Sequence, residues 1–196
     1  TLVQSMQNFG GRISWRSSEH GQQKPYEINI TLFDAMQGTV KGPDKFQVDR
    51  FLCAHAMMLG MEGIPGLYIH SLLGTSNDYD KVANTGQNRS INRKRWDYSE
   101  LESQLDSPYS QHHKVLTRLS QLIRIRKAQE AFHPNATQFT LQLGPSLFGY
   151  WRQSLNRRQS IFCISNVTDE EQSILLSDLN LIGTDNWIDL ITRDQI

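Results

Sequence analysis

Cysteine is scarce in this chain: Cys53 and Cys163 are the two among 196 residues. Neither has a partner at metal-ligand spacing, which excludes a cysteine-based metal knuckle and a disulfide framework. Both sit inside apolar runs, so buried free thiols in a reducing, cytoplasmic compartment are expected. No apolar run approaches the roughly 20 residues of a membrane span, and the N-terminus lacks the basic-then-apolar order of a signal peptide. Without that signal, the tripeptides beginning at Asn29, Asn88, Asn135 and Asn166 are not read as glycosylation sites. An excess of charge of one sign is missing too, with 20 Lys and Arg against 20 Asp and Glu, and the short basic run Asn92 to Arg95 reads as a solvated loop edge. A nucleic-acid partner is not indicated. No Gly-rich phosphate loop, His-Glu-x-x-His or Gly-x-Ser-x-Gly occurs, so neither a cofactor nor a metal is expected.

What is present centres on Gly63 to Arg93. Gly63 to His70 follows a Gly/Pro breaker with residues apolar on both faces, the pattern of a strand covered on two sides in a parallel sheet. The long polar segment Gly74 to Arg93 leaves the C-terminal end of that strand, where α/β barrels keep their chemistry. Its residues Asn77, Asp78, Asn84, Gln87, Asn88, Arg89, Asn92 and Arg93 read as a ligand-facing loop, because a mere connection needs far fewer amides and guanidinium groups.

The rest of the chain is ordered around this stretch. Thr1 to Asn8 has helical spacing, Arg12 to Ser17 reads as a strand, and Tyr26 to Phe33 alternates as a second strand. Asp44 caps a helix running to about Leu59, with Phe46, Phe51, Leu52, Met57, Met58 and Leu59 on its core face. His55 inside that helix reads as a hydrogen-bonded core residue. Ser99 to Leu105 is a short surface helix. Ser107-Pro108 then starts a long amphipathic helix, Tyr109 to Ala131. His112 and His113 on it point about 100° apart and read as surface imidazoles. Beyond His133-Pro134-Asn135 come strand-like runs at Phe139 to Leu143, Leu147 to Arg152, Ser160 to Asn166 and Gln172 to Leu176, an antiparallel pattern. A domain boundary is expected near Phe132 to Asn135, giving residues 1–132 and 133–196.

Three ordered runs carry a resemblance. Pro25-Tyr26-Glu27-Ile28-Asn29 with Phe33-Asp34-Ala35 is the first. Gly63 to Tyr68 followed by Leu72-Leu73-Gly74 and Asn77-Asp78 is the second, and Asn88 to Arg93 is the third. In order and spacing they resemble the C-terminal part of the sucrose phosphorylase family of the α-amylase clan, from about Gly10 to Gln129 and more weakly through the terminal sheet. The resemblance implies an α/β plus β chain: the C-terminal portion of a (β/α)8 barrel, with Ile64 to His70 as strand eight, followed by a small antiparallel β domain.

It also implies a retaining transfer of α-glucose from a glucoside such as sucrose or glucosylglycerate to inorganic phosphate, giving glucose 1-phosphate. The family's catalytic carboxylates would all lie upstream of Thr1. Retention needs two carboxyl groups about 5–5.5 Å apart across one bond, so this chain alone is expected to be inactive. Arg89 matches an arginine that helps bind phosphate or the leaving sugar, a task suited to a bidentate donor. Tyr26 and Glu27 match a mobile loop that switches between acceptor and phosphate.

Two departures bear on substrate. Sucrose phosphorylases proper carry an acid two residues before the Tyr and a Gln after it, where this chain has Lys24 and Glu27. Relatives in the family act on glucosylglycerate, and Lys24 suits its carboxylate. A hydrolase or transglucosidase of the same clan, or a non-catalytic sugar-binding module, would share the same composition. The opening at Thr1 and the mid-pattern close at Trp187 to Ile191 fit a piece of something larger. An opened barrel would expose apolar edges, so self-association is expected.

Overall fold

The computed structural model describes residues 1–179 and 186–196. Among them are helices α1 (Leu2–Asn8), α2 (Leu32–Ala35), α3 (Gln47–Gly60), α4 (Ile69–Leu72), α5 (Tyr79–Thr85), α6 (Tyr98–Asp106) and α7 (Gln111–Ala128). The strands are β1 (Arg12–Ser17), β2 (Gln23–Asn29), β3 (Gly38–Thr39), β4 (Gly42–Pro43), β5 (Thr137–Leu141), β6 (Leu147–Gln153) and β7 (Ser160–Asn166). Every pairing is antiparallel: β1 with β2, β3 with β4, and the three-stranded order β5-β6-β7.

The chain divides into two compact units. The first comprises residues 1–52 and 67–119. Its core is Phe9, Ile13, Phe33, Phe51, Leu52, Leu73, Ile91, Val115 and Leu119, with Phe33 edge-on to Phe51 at 5.3 Å. Side-chain caps start its helices where the sequence supplies short polar residues: Thr1 for α1, Thr31 for α2, Asp78 for α5 and Asp97 for α6.

The second unit comprises residues 53–66 and 120–196 and holds the three-stranded sheet. Tyr150 and Arg152, neighbours on one face of β6, are buried at 2% and 0% exposure. The Tyr150 hydroxyl donates to the Met57 carbonyl at 2.7 Å. Gly60 makes that approach feasible, since a Cβ there would lie 2.1 Å from the same hydroxyl oxygen. Arg152 donates to the carbonyls of Gly60 at 2.7 Å, His133 at 2.9 Å and Ala136 at 3.3 Å. Arg126 meets the carbonyls of Leu59, Met61 and Gly63. Two guanidinium groups thus satisfy backbone oxygens of a stretch that has no ladder to satisfy them.

Several expectations are corrected here. Gly63 to His70 forms no strand. Tyr68 has extended dihedrals, φ −75° and ψ 138°, but no strand among the described residues pairs with this run, and Ile69 already begins α4. A strand needs a neighbour, and Pro65 supplies no N–H to a ladder. Tyr26 to Phe33 is not one strand either: β2 ends at Asn29 and Leu32 opens α2. Gln172 to Leu176 pairs with no strand among the described residues, and Leu175 is 69% exposed. His112 and His113 are half-buried rather than on the surface. Their Nδ1 atoms lie 2.7 Å from the Leu73 carbonyl and 2.6 Å from the Leu105 carbonyl. Cys53 and Cys163 are free but only partly buried.

Candidate functional site

Tyr26, Glu27 and Arg89 all lie in the first unit, and the structure brings the last two into contact. β1 and β2 pair from Arg12↔Asn29 to Ser14↔Glu27, then resume at Trp15↔Pro25. One residue, Tyr26, is therefore left over in a β-bulge. Bulges turn a side chain out of the regular alternation and are common beside active sites. Pro25, with no N–H to offer, is a residue that a bulge tolerates. Tyr26 ends up 63% exposed, at the rim of an open cleft of about 510 Å³ lined also by Arg16, Glu19, His20 and Lys24. The alternation of Tyr26 to Phe33 predicts a regular strand, and Pro25 is the residue that signals the bulge.

Arg89 sits in the 3-10 turn Asn88–Asn92 that follows α5. Gly86, in the left-handed region at φ 66°, ends α5 and redirects the chain into that turn. The turn is tied down on each side of Arg89. The Asp78 amide donates to the Ile91 carbonyl at 2.8 Å, the Thr85 hydroxyl donates to the buried Ser90 hydroxyl at 2.8 Å, and Asn88 donates to the Ser14 hydroxyl at 3.4 Å. From this base the Arg89 Nε donates to both carboxylate oxygens of Glu27, at 3.0 and 3.1 Å. The Glu27 carboxylate raises the Arg89 pKa above its ordinary value, chiefly through that hydrogen bond.

The polar run expected to face a ligand divides in two. Asn77 and Asp78 are structural: the Asn77 side-chain oxygen Oδ1 accepts from the Thr31 backbone N–H at 2.8 Å, the Asn77 backbone N–H donates to the Asp34 carboxylate at 2.7 Å, and Asp78 caps α5. Burial pushes the Asp34 carboxyl up, against the hydrogen bonds from Asn77, Ser76 and Thr31. The segment is not a plain loop, because α5 lies within it. Lys94 is drawn onto Trp96, 3.9 Å from its ring centroid, rather than left as solvated edge. Among the described residues no cluster of three or more His, Cys, Asp or Glu could hold a metal ion, and no helix is long and apolar enough to cross a membrane.

Comparison with known proteins bears on this arrangement. No family model matches the chain. It is 33% identical over 193 residues to a glucosylglycerate phosphorylase of Escherichia coli, an alignment of 94% of this chain and 34% of that protein. It is 36% identical over 187 residues to a glucosylglycerate phosphorylase of Allomeiothermus silvanus, covering 95% of this chain and 33% of that one. The chain is related to the sucrose and glucosylglycerate phosphorylases. A crystal structure of the sucrose 6F-phosphate phosphorylase from Thermoanaerobacter thermosaccharolyticum superimposes with a TM-score of 0.61 and 25% identity, over 89% of this chain and 35% of that chain. This chain therefore spans about a third of the length of these phosphorylases.

Proposed function

We propose that the chain is the C-terminal part of a retaining α-glucosyl phosphorylase. In the whole protein the glycosidic bond of an α-glucoside is broken and the glucosyl carbon is bonded instead to a phosphate oxygen, releasing the acceptor and giving glucose 1-phosphate. The observation that carries this reading is alignment with glucosylglycerate phosphorylases over nearly the whole chain. It is supported by an exposed arginine, Arg89, on a braced turn beside the Tyr26 bulge.

In this reading Arg89 binds phosphate or the acceptor's charged group through planar N–H donors. Tyr26 and Glu27 form the adjustable wall. Lys24, which shares the cleft with Tyr26, favours a carboxylate-bearing acceptor, so the preferred donor is glucosylglycerate over sucrose. Residues 1–132 complete the barrel, and residues 133–196 form the terminal β domain. The isolated chain, with Ile64 87% exposed and Ile69 54% exposed, self-associates; light scattering checks this. A cytoplasmic site for the whole enzyme fits its free thiols.

The test is a donor screen on the whole enzyme with and without phosphate. Faster glucose transfer from glucosylglycerate than from sucrose, dependent on phosphate, is expected. Release of glucose at a phosphate-independent rate contradicts phosphorolysis and supports a hydrolase.

A further inference from the structure

Arg89 already holds an anion, and that anion belongs to the chain itself. We propose that Glu27 is an internal occupant of the anion position on Arg89, displaced when an anionic substrate binds, so that Glu27 sets anion affinity there. The proposal rests on the reading of Arg89 as the anion-binding residue.

Both backbones are fixed while both side chains can turn. Glu27 is set by its register opposite Ser14 in the β1–β2 ladder. Two residues on, Asn29 is only 3% exposed and donates to Ser14 and to the Arg12 carbonyl. Arg89 stands on the turn held by Ser90 and Asn88. The side chains themselves are open to solvent, at 60% exposure for Arg89 and 32% for Glu27. An exposed pair is weak and exchanges readily for a better partner.

The pair also leaves donors over. Only the Nε of Arg89 is used, and among the described residues neither Nη group has a protein acceptor. A phosphate brings more charge and more acceptor oxygens than a carboxylate, so it can take the Nε bond and the Nη bonds together. A monovalent anion gains less from the exchange. Glu27 thereby raises the threshold for occupying Arg89, because an anion binds at full strength only in the fraction of molecules whose pair is open. The Gln found after the Tyr in sucrose phosphorylases proper carries no charge and imposes no such threshold.

The experiment is a titration of the 196-residue chain with inorganic phosphate, with sodium chloride at matched ionic strength as control. The readout is the Arg89 Nε–H signal by NMR, in the unaltered chain, Glu27→Gln, Glu27→Ala and Arg89→Gln, the last followed through the backbone amides of residues 88–92. Phosphate affinity is expected to tighten about two- to fivefold in both Glu27 variants, the range of an exposed pair. Unchanged or weaker phosphate affinity in both Glu27 variants, while the response still needs Arg89, overturns the internal-occupant proposal and leaves the anion role of Arg89 standing. A phosphate response that survives in Arg89→Gln removes both. Absence of a saturable response in the unaltered chain and in both Glu27 variants also overturns the proposal.

Discussion

Asn29 and Asn88 converge on one oxygen: the side-chain amide of each donates to the Ser14 hydroxyl, at 3.0 and 3.4 Å. The first asparagine belongs to the strand that carries Glu27, and the second precedes Arg89. A single hydroxyl therefore ties the two halves of the ion pair to a shared support.

Replacing Ser14 by Ala removes that support while leaving Asn29 its bond to the Arg12 carbonyl. Loss of two half-buried hydrogen bonds of this kind costs about 1–2 kcal/mol. A lower urea midpoint is expected, together with faster hydrogen exchange in residues 88–92 than in β1. Unchanged exchange there would show that the turn does not depend on Ser14.

Arg152 is a buried cation whose hydrogen-bond partners among the described residues are all backbone carbonyls. Burial lowers its pKa from the ordinary arginine range, yet arginine stays charged. Arg152→Met fills the volume but removes three charge-assisted bonds, so a loss of about 3 kcal/mol or more is expected. Arg152→Lys should recover part of it, because an ammonium reaches one group of carbonyls but lacks the fork that spans them. Denaturant unfolding of the two variants checks the order, with Met below Lys below the unaltered chain.

Burial pushes the Cys163 thiol up to about 11, and Tyr150 and Cys53 are raised by burial as well. A group whose folded pKa is raised holds its proton longer in the folded state. Its stabilising contribution is complete below the unfolded pKa and is lost as pH climbs toward the folded one. For Cys163 that window runs from about 8.5, the usual thiol value, to about 11. Stability measured by urea unfolding should therefore fall from pH 9 to 11, at no more than ~1.4 kcal/mol per pH unit for each group. Cys163→Ala should flatten that fall, and the thiol of the folded chain should resist alkylation at pH 8.

Much of this was legible in the sequence where local chemistry and periodicity agree. α1, β1, α6, β6 and β7 fall where spacing and caps place them, and α3 extends one residue past the expected Leu59. Misreadings arose where the decisive partner is remote. Gly63 to His70 has the composition of a covered strand, but a strand is a relation between chains of hydrogen bonds, and this run has no partner among the described residues. Arg152 ends the strand-like run Leu147 to Arg152, whose local pattern does not mark it as buried. It is buried because the carbonyls of Gly60, His133 and Ala136 need donors, a demand that is visible only in three dimensions. At the candidate site Arg89, Tyr26 and Glu27 were singled out by resemblance, whereas the ion pair and the bulge follow from register and turn geometry. The support supplied by Ser14 left no mark in the local pattern.

The measurement that bears most directly on the account is the phosphate KM of the whole enzyme with Arg89 unaltered, changed to Lys and changed to Gln. If Arg89 binds the anion through planar, bidentate donors, Arg89→Gln should raise the phosphate KM by at least about tenfold, the loss of one charge-assisted bond. Arg89→Lys should fall between, and KM for the glucoside donor should change less. A phosphate KM that is the same in all three proteins would contradict the assignment of Arg89, and with it the site described here.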